Sequence, residues 1–545
     1  MHFRETHKQF KPSSHVSGMY SLLALPGSAP VMSQPPEGFS TPTSKRSAPI
    51  TSPSGERSAE PMNKMPRHGA QARGAGSPSS PTQVAAALAA EQEEAARAAA
   101  SDAKYRARTN AGQVMRTLNA EFRVAPGSEV ARIGDCEVHS HCLRAPYSHM
   151  ADEPRKVATL LDARAESLGT EALAAANLDG RFALELRSVE TVVSVGRIDC
   201  EVEGRLSGSS VVIETTRAAK GPARIRLNFN DIPTFAVFPG QMVGVAGINP
   251  TGALFELEQL CMPPPLSRRP RLRPIESPVT AMVAFGPYTT SHSLDYLGLQ
   301  DLCRVVEEQR PSLLVLVGPF VDEQHSAFRF DTADPTVGLG TSPDPHAVME
   351  ERVAPLLQRA AASTRVAIVP SQRDVCVDPV FPQPPPTTLL DADTRARVQL
   401  LPNPAIFEAG GVQFAISGAD ILKGLAGEEL SRRGANDRPA DRLPNLCTHL
   451  LRQRSLYPLF PAQRGTTICQ TQAAAFALTE APDVLVVGSD LSPFAASVEG
   501  VACVNPGKLV RGSGAGGSYT KIAVSAGEEE SAIGRPRVSV DVVKI

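Results

Sequence analysis

Met282-Val283-Ala284-Phe285 runs into Gly286-Pro287-Tyr288, Leu313-Leu314-Val315-Leu316-Val317 into Gly318-Pro319-Phe320-Val321-Asp322, and Val366-Ala367-Ile368-Val369 into Pro370-Ser371-Gln372-Arg373-Asp374. Short apolar runs separated by helix-length polar segments read as strands buried on both faces of an α/β sheet. In such sheets ligands bind in the loops that follow the carboxyl ends of the strands. The three loops here are poor in catalytic side chains. That mismatch between architecture and chemistry governs the functional reading.

Working outward, the α/β region spans 277–545. Helices are predicted at 293–309, 344–361 and 442–454, and further strands at 412–417, 484–487 and 501–504. Residues 538–542 alternate as a half-buried strand should. Upstream, Pro263-Pro264-Pro265 and the basic run from Arg268 to Pro274 form a stiff, charged linker over 263–276. Residues 181–262 carry many short extended segments divided by turns: 182–186, 189–195, 197–202, 210–214, 223–229, 241–248 and 254–260. That pattern predicts a small barrel, with an OB-fold as the best fit. Single-strand binding by such a barrel needs aromatic platforms on a basic groove. Phe182, Phe229, Phe235, Phe238 and Phe255 are the aromatics of this region, and the chain has no Trp. The barrel therefore reads first as a protein-packing module.

Residues 82–180 read as a helical linker and pre-barrel segment. Thr82 caps an Ala/Glu-rich helix that is expected to be exposed. A second helix near Glu153-Pro154 sets Val157, Leu160, Leu161, Ala165 and Leu168 on one face. Residues 1–81 are rich in Pro, Ser and Gly and read as a disordered tail, with nine basic and four acidic residues for a net of +5. Thr41, Ser52, Ser77 and Ser80 each precede a proline and would suit proline-directed kinases.

Over all 545 residues, 55 basic side chains face 57 acidic ones, so the net charge gives no reason to expect autonomous nucleic-acid binding. Nine scattered cysteines without a CxxC pair fit reduced thiols in a cytosolic or nuclear protein. Near the start, the apolar run 21–25 is too short for a signal peptide or a membrane span. Two clusters invite a site reading. Cys136, His139, His141 and Cys142 have zinc-type ligands but lack finger spacing, so a surface loop is the favoured reading. His292, Asp322 and His325 are better explained as loop residues than as a site.

The strand-end loops, in this order, resemble the calcineurin-like metallophosphoesterase fold. Active members end the first strand in Asp-x-His, the second in Gly-Asp-x-x-Asp and the third in Gly-Asn-His-Asp/Glu. Later loops add a His and a Gly-His-x-His. Two metals roughly 3.5–4 Å apart must be held to clamp a phosphoryl group. Here Gly286, Pro287 and Tyr288 stand in the first loop, and in the second Pro319 replaces the bridging Asp and only Asp322 matches. Gln372 and Arg373 stand where Asn and His are required. The late loops read Ser417-Gly418-Ala419-Asp420 and Val504-Asn505-Pro506-Gly507, without His.

An OB-fold joined to a phosphoesterase-like domain without its metal ligands is similar to the B subunits of replicative DNA polymerases. Most specifically it resembles the B subunits of DNA polymerase alpha–primase. The matching segments are Arg108 to Val114, Phe238 to Val243 with Gly247-Ile248-Asn249, Gly286 to Ser291, and Arg310-Pro311 leading into Gly318-Pro319-Phe320. Further matches are Val369 to Ser371 with Arg373-Asp374-Val375, Val380 to Pro385, Gln453 to Leu459, Pro482 to Leu485, and Val504 to Gly507. Members often begin with a small helical domain, whereas residues 1–81 here read as disordered, and 434–442 reads as an exposed loop. The resemblance implies no catalysis and no cofactor. It implies a nuclear scaffold holding the C-terminal zinc-binding region of the catalytic subunit, through the barrel and the cleft rim. Primase would sit in the same complex, DNA would be contacted indirectly or weakly, and no membrane would be involved. Tyr288, Phe320, Phe381, Tyr457 and Phe460 are the aromatic candidates for partner contacts, although core is the commoner place for each. The alternatives are a metal-dependent phosphodiesterase with a rearranged site and an autonomous single-strand-binding OB protein.

Overall fold

Period-two alternation within the buried runs decides which core each side chain enters. The computed structural model describes residues 81–545 apart from 126–127, 144–146, 150, 181, 203, 218–222, 269–274, 329–342, 387–389, 435–441, 513 and 527–536. Along Val279–Phe285 and Leu313–Val317, the odd-numbered residues Ala281, Val283, Phe285, Leu313, Val315 and Val317 share one core. The even-numbered Met282, Ala284, Leu314 and Leu316 enter another. A strand buried on both faces has no polar side, which is why these runs show no polar alternation.

The first core lies between two sheets. One is seven-stranded, in the order Val114–Leu118, Val538–Lys544, Ser518–Val524, Val279–Phe285, Leu313–Val317, Arg365–Val369, Val398–Leu400. The other is six-stranded, in the order Phe494–Val498, Val501–Asn505, Val484–Val487, Val412–Ser417, Ala405–Ala409, Glu137–Val138. Its Phe407, Phe414, Ile416, Val484 and Val486 close the shared core from the far side. Helices Leu297–Gln309 and Ala354–Ala361 cover the outer face of the first sheet through Leu299, Leu302, Val306 and Leu357. Helices Ile421–Glu428 and Arg442–Arg452 cover the second through Ile421, Leu425, Leu446 and Leu450. The layers therefore stack helix, sheet, sheet, helix. Each fully buried Leu or Val contributes about 1.5–3 kcal/mol. Among the described residues, no helix is long and apolar enough to cross a membrane.

Leu313 lies opposite both Ala281 and Arg365, and Val317 opposite both Phe285 and Val369. The three parallel strands therefore end level, and their loops come together at one edge.

Residues 188–261 form a closed barrel in the order Ser188–Cys200, Val211–Thr215, Arg224–Asn228, Leu254–Cys261, Met242–Asn249. Two expected strands, 189–195 and 197–202, are one continuous strand. Gly196 lies within it, paired with Thr215 and Val243, and a side chain there would collide with the Glu214 carbonyl at 2.5 Å. Residues 182–186 form no strand; they turn, and Asn249 Nδ2 donates to the Leu184 carbonyl at 2.5 Å. Helix Pro154–Ala175 packs on the barrel by Ala165, Leu168, Gly169, Ala172 and Leu173. Leu160, expected on that face, is exposed. The segment 82–180 is more than a linker. It contributes strands to both sheets, and helix Pro81–Arg106 buries Ser101, Asp102 and Tyr105 near its end.

Barrel and sandwich meet along a polar seam with an aromatic anchor. The Gln453 side chain copies a strand: its Oε1 accepts from Met242 N at 2.8 Å, and its Nε2 donates to Met242 O at 3.0 Å. Phe238 leaves the barrel to join the outer core of the six-stranded sheet, edge-on to His449 at 4.8 Å. Gly240 adopts φ +96°, and a Cβ there would lie 2.4 Å from Phe460 N. Strand Leu430–Arg432 pairs with Phe235–Val237 beside them.

Gln453→Ala leaves both backbone groups of Met242 without partners in a buried seam. It should lower unfolding stability by about 2–4 kcal/mol. Urea unfolding followed by circular dichroism checks this, and an unchanged midpoint would make the amide pair incidental.

Candidate functional site

The level strand ends bring Gly286-Pro287-Tyr288, Gly318-Pro319-Phe320 and Ser371 to Asp374 into one cleft. The loops touch. A Cβ on Gly286 would fall 2.1 Å from the Pro319 carbonyl, and one on Gly318 would fall 2.1 Å from Asp374 Oδ2. Glycine is therefore required at both by close approach rather than by φ. Tyr288 is buried and donates its hydroxyl to the carbonyls of Ala284 at 3.1 Å and Val317 at 2.9 Å, while its ring stacks on Phe320 at 5.3 Å. Tyr296 donates to the Phe320 carbonyl at 2.8 Å.

The centre of the interlock is Asp374, buried at 4% exposure. Its Oδ1 accepts from the amides of Phe320 and Val321, and its Oδ2 from the amide of Ser371 at 2.8 Å. Burial nonetheless pushes its carboxyl up to about 7, against the pull of those three donors. Asp322, the acid of the second loop that matches the phosphoesterase pattern, is gripped by both prongs of Arg373, with Nε at 3.2 Å from Oδ1 and Nη2 on Oδ2. Gln372 donates to the carbonyls of Pro379 and Thr467 at 3.2 and 3.0 Å.

The later loops are tied by amides. Asn505 Oδ1 accepts from the amides of Ser489 and Gly507, both at 3.0 Å, and its Nδ2 donates to the carbonyls of Leu491 and Ser492. Asn403 Nδ2 donates to Gln383 Oε1 at 2.8 Å, and Asn403 Oδ1 accepts from Gly418 N at 2.9 Å. Asp420 caps helix Ile421–Glu428 through Lys423 N and accepts from Asp490 N. Asn403 and Gln383 join the interlock beside the positions singled out in the sequence; Gln383 lies in the matching segment Val380 to Pro385, and nothing in its local sequence marks Asn403.

A cavity of about 330 Å³ opens beside these loops, lined by Thr289, Ser291, His292, Asp322, His325 and Arg373 among others. His292, Asp322 and His325 do come together here, yet without forming a set of ligands. Arg373 saturates Asp322. His292 Nδ1 faces Glu94 Oε1 at 2.9 Å. His325 is buried, with Nδ1 accepting from Ala327 N at 3.1 Å, and burial lowers its pKa. Among the described residues no group of three or more His, Cys, Asp or Glu side chains is placed to hold a metal. The residues present do not fit a two-metal centre.

The upstream Cys/His cluster is divided by the sheet. Cys136 enters the core between the sheets, where burial pushes its thiol up to about 12. Cys142 enters the core on the opposite face and donates to the Ile406 carbonyl. His141 Nε2 lies 3.1 Å from the Ala477 carbonyl. The expected surface loop is in this respect corrected: both cysteines are core.

Of the five aromatics considered for partner contacts, Tyr288, Phe320, Phe381 and Tyr457 are buried in the cores. Phe460 stays half-buried at the seam, with the Arg197 guanidinium 4.8 Å from its ring centre. Thr41, Ser52, Ser77 and Ser80 lie outside the described residues.

Comparison with known proteins follows this division. The family of DNA polymerase alpha/epsilon B subunits matches residues 281–496, within the sandwich. The family formed by the OB domain of DNA polymerase alpha B subunits matches residues 158–262, the packing helix and barrel. The B subunit of DNA polymerase alpha from Mus musculus is 31% identical over 434 residues, covering 77% of this chain and 69% of that protein. Its counterpart in Rattus norvegicus is 30% identical over 437 residues, with the same coverage. That of Schizosaccharomyces pombe is 29% identical over 454 residues, covering 76% and 75%.

Asp374 also makes stability depend on pH. Its folded pKa of about 7 lies above the ordinary 3.8. Between those values the folded chain holds a proton that the unfolded chain has released, so stability falls as pH rises through this window. Urea unfolding of the wild type should therefore weaken between about pH 4 and about pH 7, and Asp374→Asn should lack that part of the slope. Parallel curves for the two proteins would refute the assignment.

Proposed function

Because the chain belongs to the family of DNA polymerase alpha B subunits, we propose that it is the non-catalytic scaffold of a DNA polymerase alpha–primase assembly. It holds the C-terminal zinc-binding region of the catalytic subunit, keeps primase in the same complex, and supports RNA–DNA primer synthesis in the nucleus. The observation that carries this reading is the chemistry of the cleft. Arg373 neutralises Asp322, amide side chains tie the late loops, and Asp374 serves backbone N–H groups. The helix–sheet–sheet–helix layering supports a calcineurin-like phosphoesterase domain over 277–545. A two-metal hydrolase needs free carboxylate and imidazole ligands at these strand ends. Here those positions hold the domain together.

A scaffold needs a wide, fixed surface, and the seam supplies one by locking barrel and sandwich into a shared platform. Phe460 stands at that seam with part of its ring accessible. On the barrel, Val189 is 81% exposed and Leu186 51% exposed. Exposed apolar side chains of this kind suit a protein partner, and among its described residues the barrel has no exposed aromatic row on which bases would stack.

Expressed alone, the chain should be poorly soluble, and co-expression with the catalytic subunit's C-terminal region should rescue it. A pull-down of the full chain from cell extract, washed in high salt and read by mass spectrometry, should recover a polymerase catalytic subunit and two primase subunits. Recovery of none, together with manganese-dependent cleavage of a generic phosphodiester, would overturn the scaffold reading.

A further inference from the structure

Helix Pro81–Arg106 is attached to the α/β body at two places of very different strength. Its C-terminal foot is deeply set. Asp102 is buried and accepts from Ser293 Oγ at 2.8 Å and Thr290 Oγ1 at 3.4 Å. Tyr105 is 1% exposed and donates to Asp301 Oδ2 at 3.2 Å. Arg108 lies over the Tyr105 ring at 3.8 Å and donates to the Ile545 carbonyl at 2.8 Å. The carbonyl of Ser101 would lie 2.4 Å from a Cβ on Gly514, so helix and body touch there at backbone distance.

Two turns nearer the N-terminus the helix meets the body again, and there the contact is polar and half-exposed. The Glu94 carboxylate accepts from Ser326 Oγ at 2.5 Å and faces His292 Nδ1 at 2.9 Å. Both partners line the cleft. Between foot and contact lies an open groove of about 500 Å³, lined by Arg97, Ala100 and Ser101 on the helix and by Ser291, His292 and Gly512 on the body. Eight residues of helix span about 12 Å, so the Glu94 contact stands well beyond the buried foot. A helix held by packing at one end and by one carboxylate at the other can lose the second attachment without losing the first.

We propose that this helix is a hinged arm, fixed to the body over 101–108 and held at the mouth of the cleft by a releasable latch, the Glu94 carboxylate on His292 and Ser326. Opening the latch bares those two donors at the cleft rim. They form a receptor for one carboxylate, so an acidic side chain on a docking protein competes with Glu94 for the same place.

Hydrogen exchange on the full chain tests the arm. Glu94→Ala and His292→Ala should each speed amide exchange over 88–100 by about five- to tenfold while 101–108 keeps its protection. The double variant should be no faster than either single one, and the exchanged pair Glu94→Lys with His292→Glu should restore protection. Unchanged exchange in the single variants would overturn the latch. Equal loosening of 101–108 would overturn the hinge.

Discussion

Two hydrogen bonds between the Gln453 side chain and the backbone of Met242 decide how the halves of this molecule sit. Strand Met242–Asn249 pairs with Leu254–Cys261 only from Gly244 onward, which leaves the Met242 peptide groups to be paired from the other domain. An amide is the one side-chain group that both donates and accepts in the geometry of a peptide, so glutamine continues the ladder across the boundary. Its backbone carbonyl is in turn held by Arg164 Nη2 at 3.0 Å, and its neighbour Arg454 pairs with Glu171. Both of those partners sit on the helix that packs against the barrel. The seam is thereby clamped from two sides, and rotation of barrel against sandwich would break several buried hydrogen bonds at once.

The cleft is governed by the same rule that buried polar groups must be paired. Resemblance to phosphoesterases locates the ligand positions, and the structure shows what occupies them. Proline at 319 removes an amide donor together with the carboxylate. Arginine at 373 brings a fixed cation to Asp322, and asparagine at 505 links two loops. A site stripped of ligands but left polar and open would be poorly ordered. Here Asp322 and Asn505 are each paired within the protein, and those contacts order the loops.

Much of the fold could be read from residue patterns. The strands 279–285, 313–317 and 365–369 are apolar apart from Thr280 and Arg365, and burial on both faces leaves no ambiguity for such runs. Strands 114–118, 137–138 and 494–498 were not legible. They lie at sheet edges, carry polar residues such as Arg116, Thr117 and Ser497, and gain their conformation from a partner strand far away in the chain. The loops of the site were legible as loops, since Gly-Pro follows two strands. Their contacts were not. Whether Tyr288 and Phe320 face solvent or stack on each other depends on Pro319 approaching Gly286, a distance no local pattern encodes. The contribution of Gln383 and Asn403 is likewise a tertiary one, between residues 20 apart.

A buried acid with a raised pKa invites a functional reading, because perturbed carboxyl groups gather at functional sites. Asp374 resolves this once its partners are counted. Three backbone amides from two different loops converge on one carboxyl group, and no neutral side chain offers as many acceptor positions in so small a volume. Gly318 must lack a side chain to let that carboxyl approach, and the Gly318-Pro319 turn in turn presents the Phe320 and Val321 amides to it. The acid, the glycine and the two loops specify one another. The raised pKa is then the consequence of a structural knot tied in a dry place, and a titrating carboxyl group at a strand end is no sufficient sign of an active site.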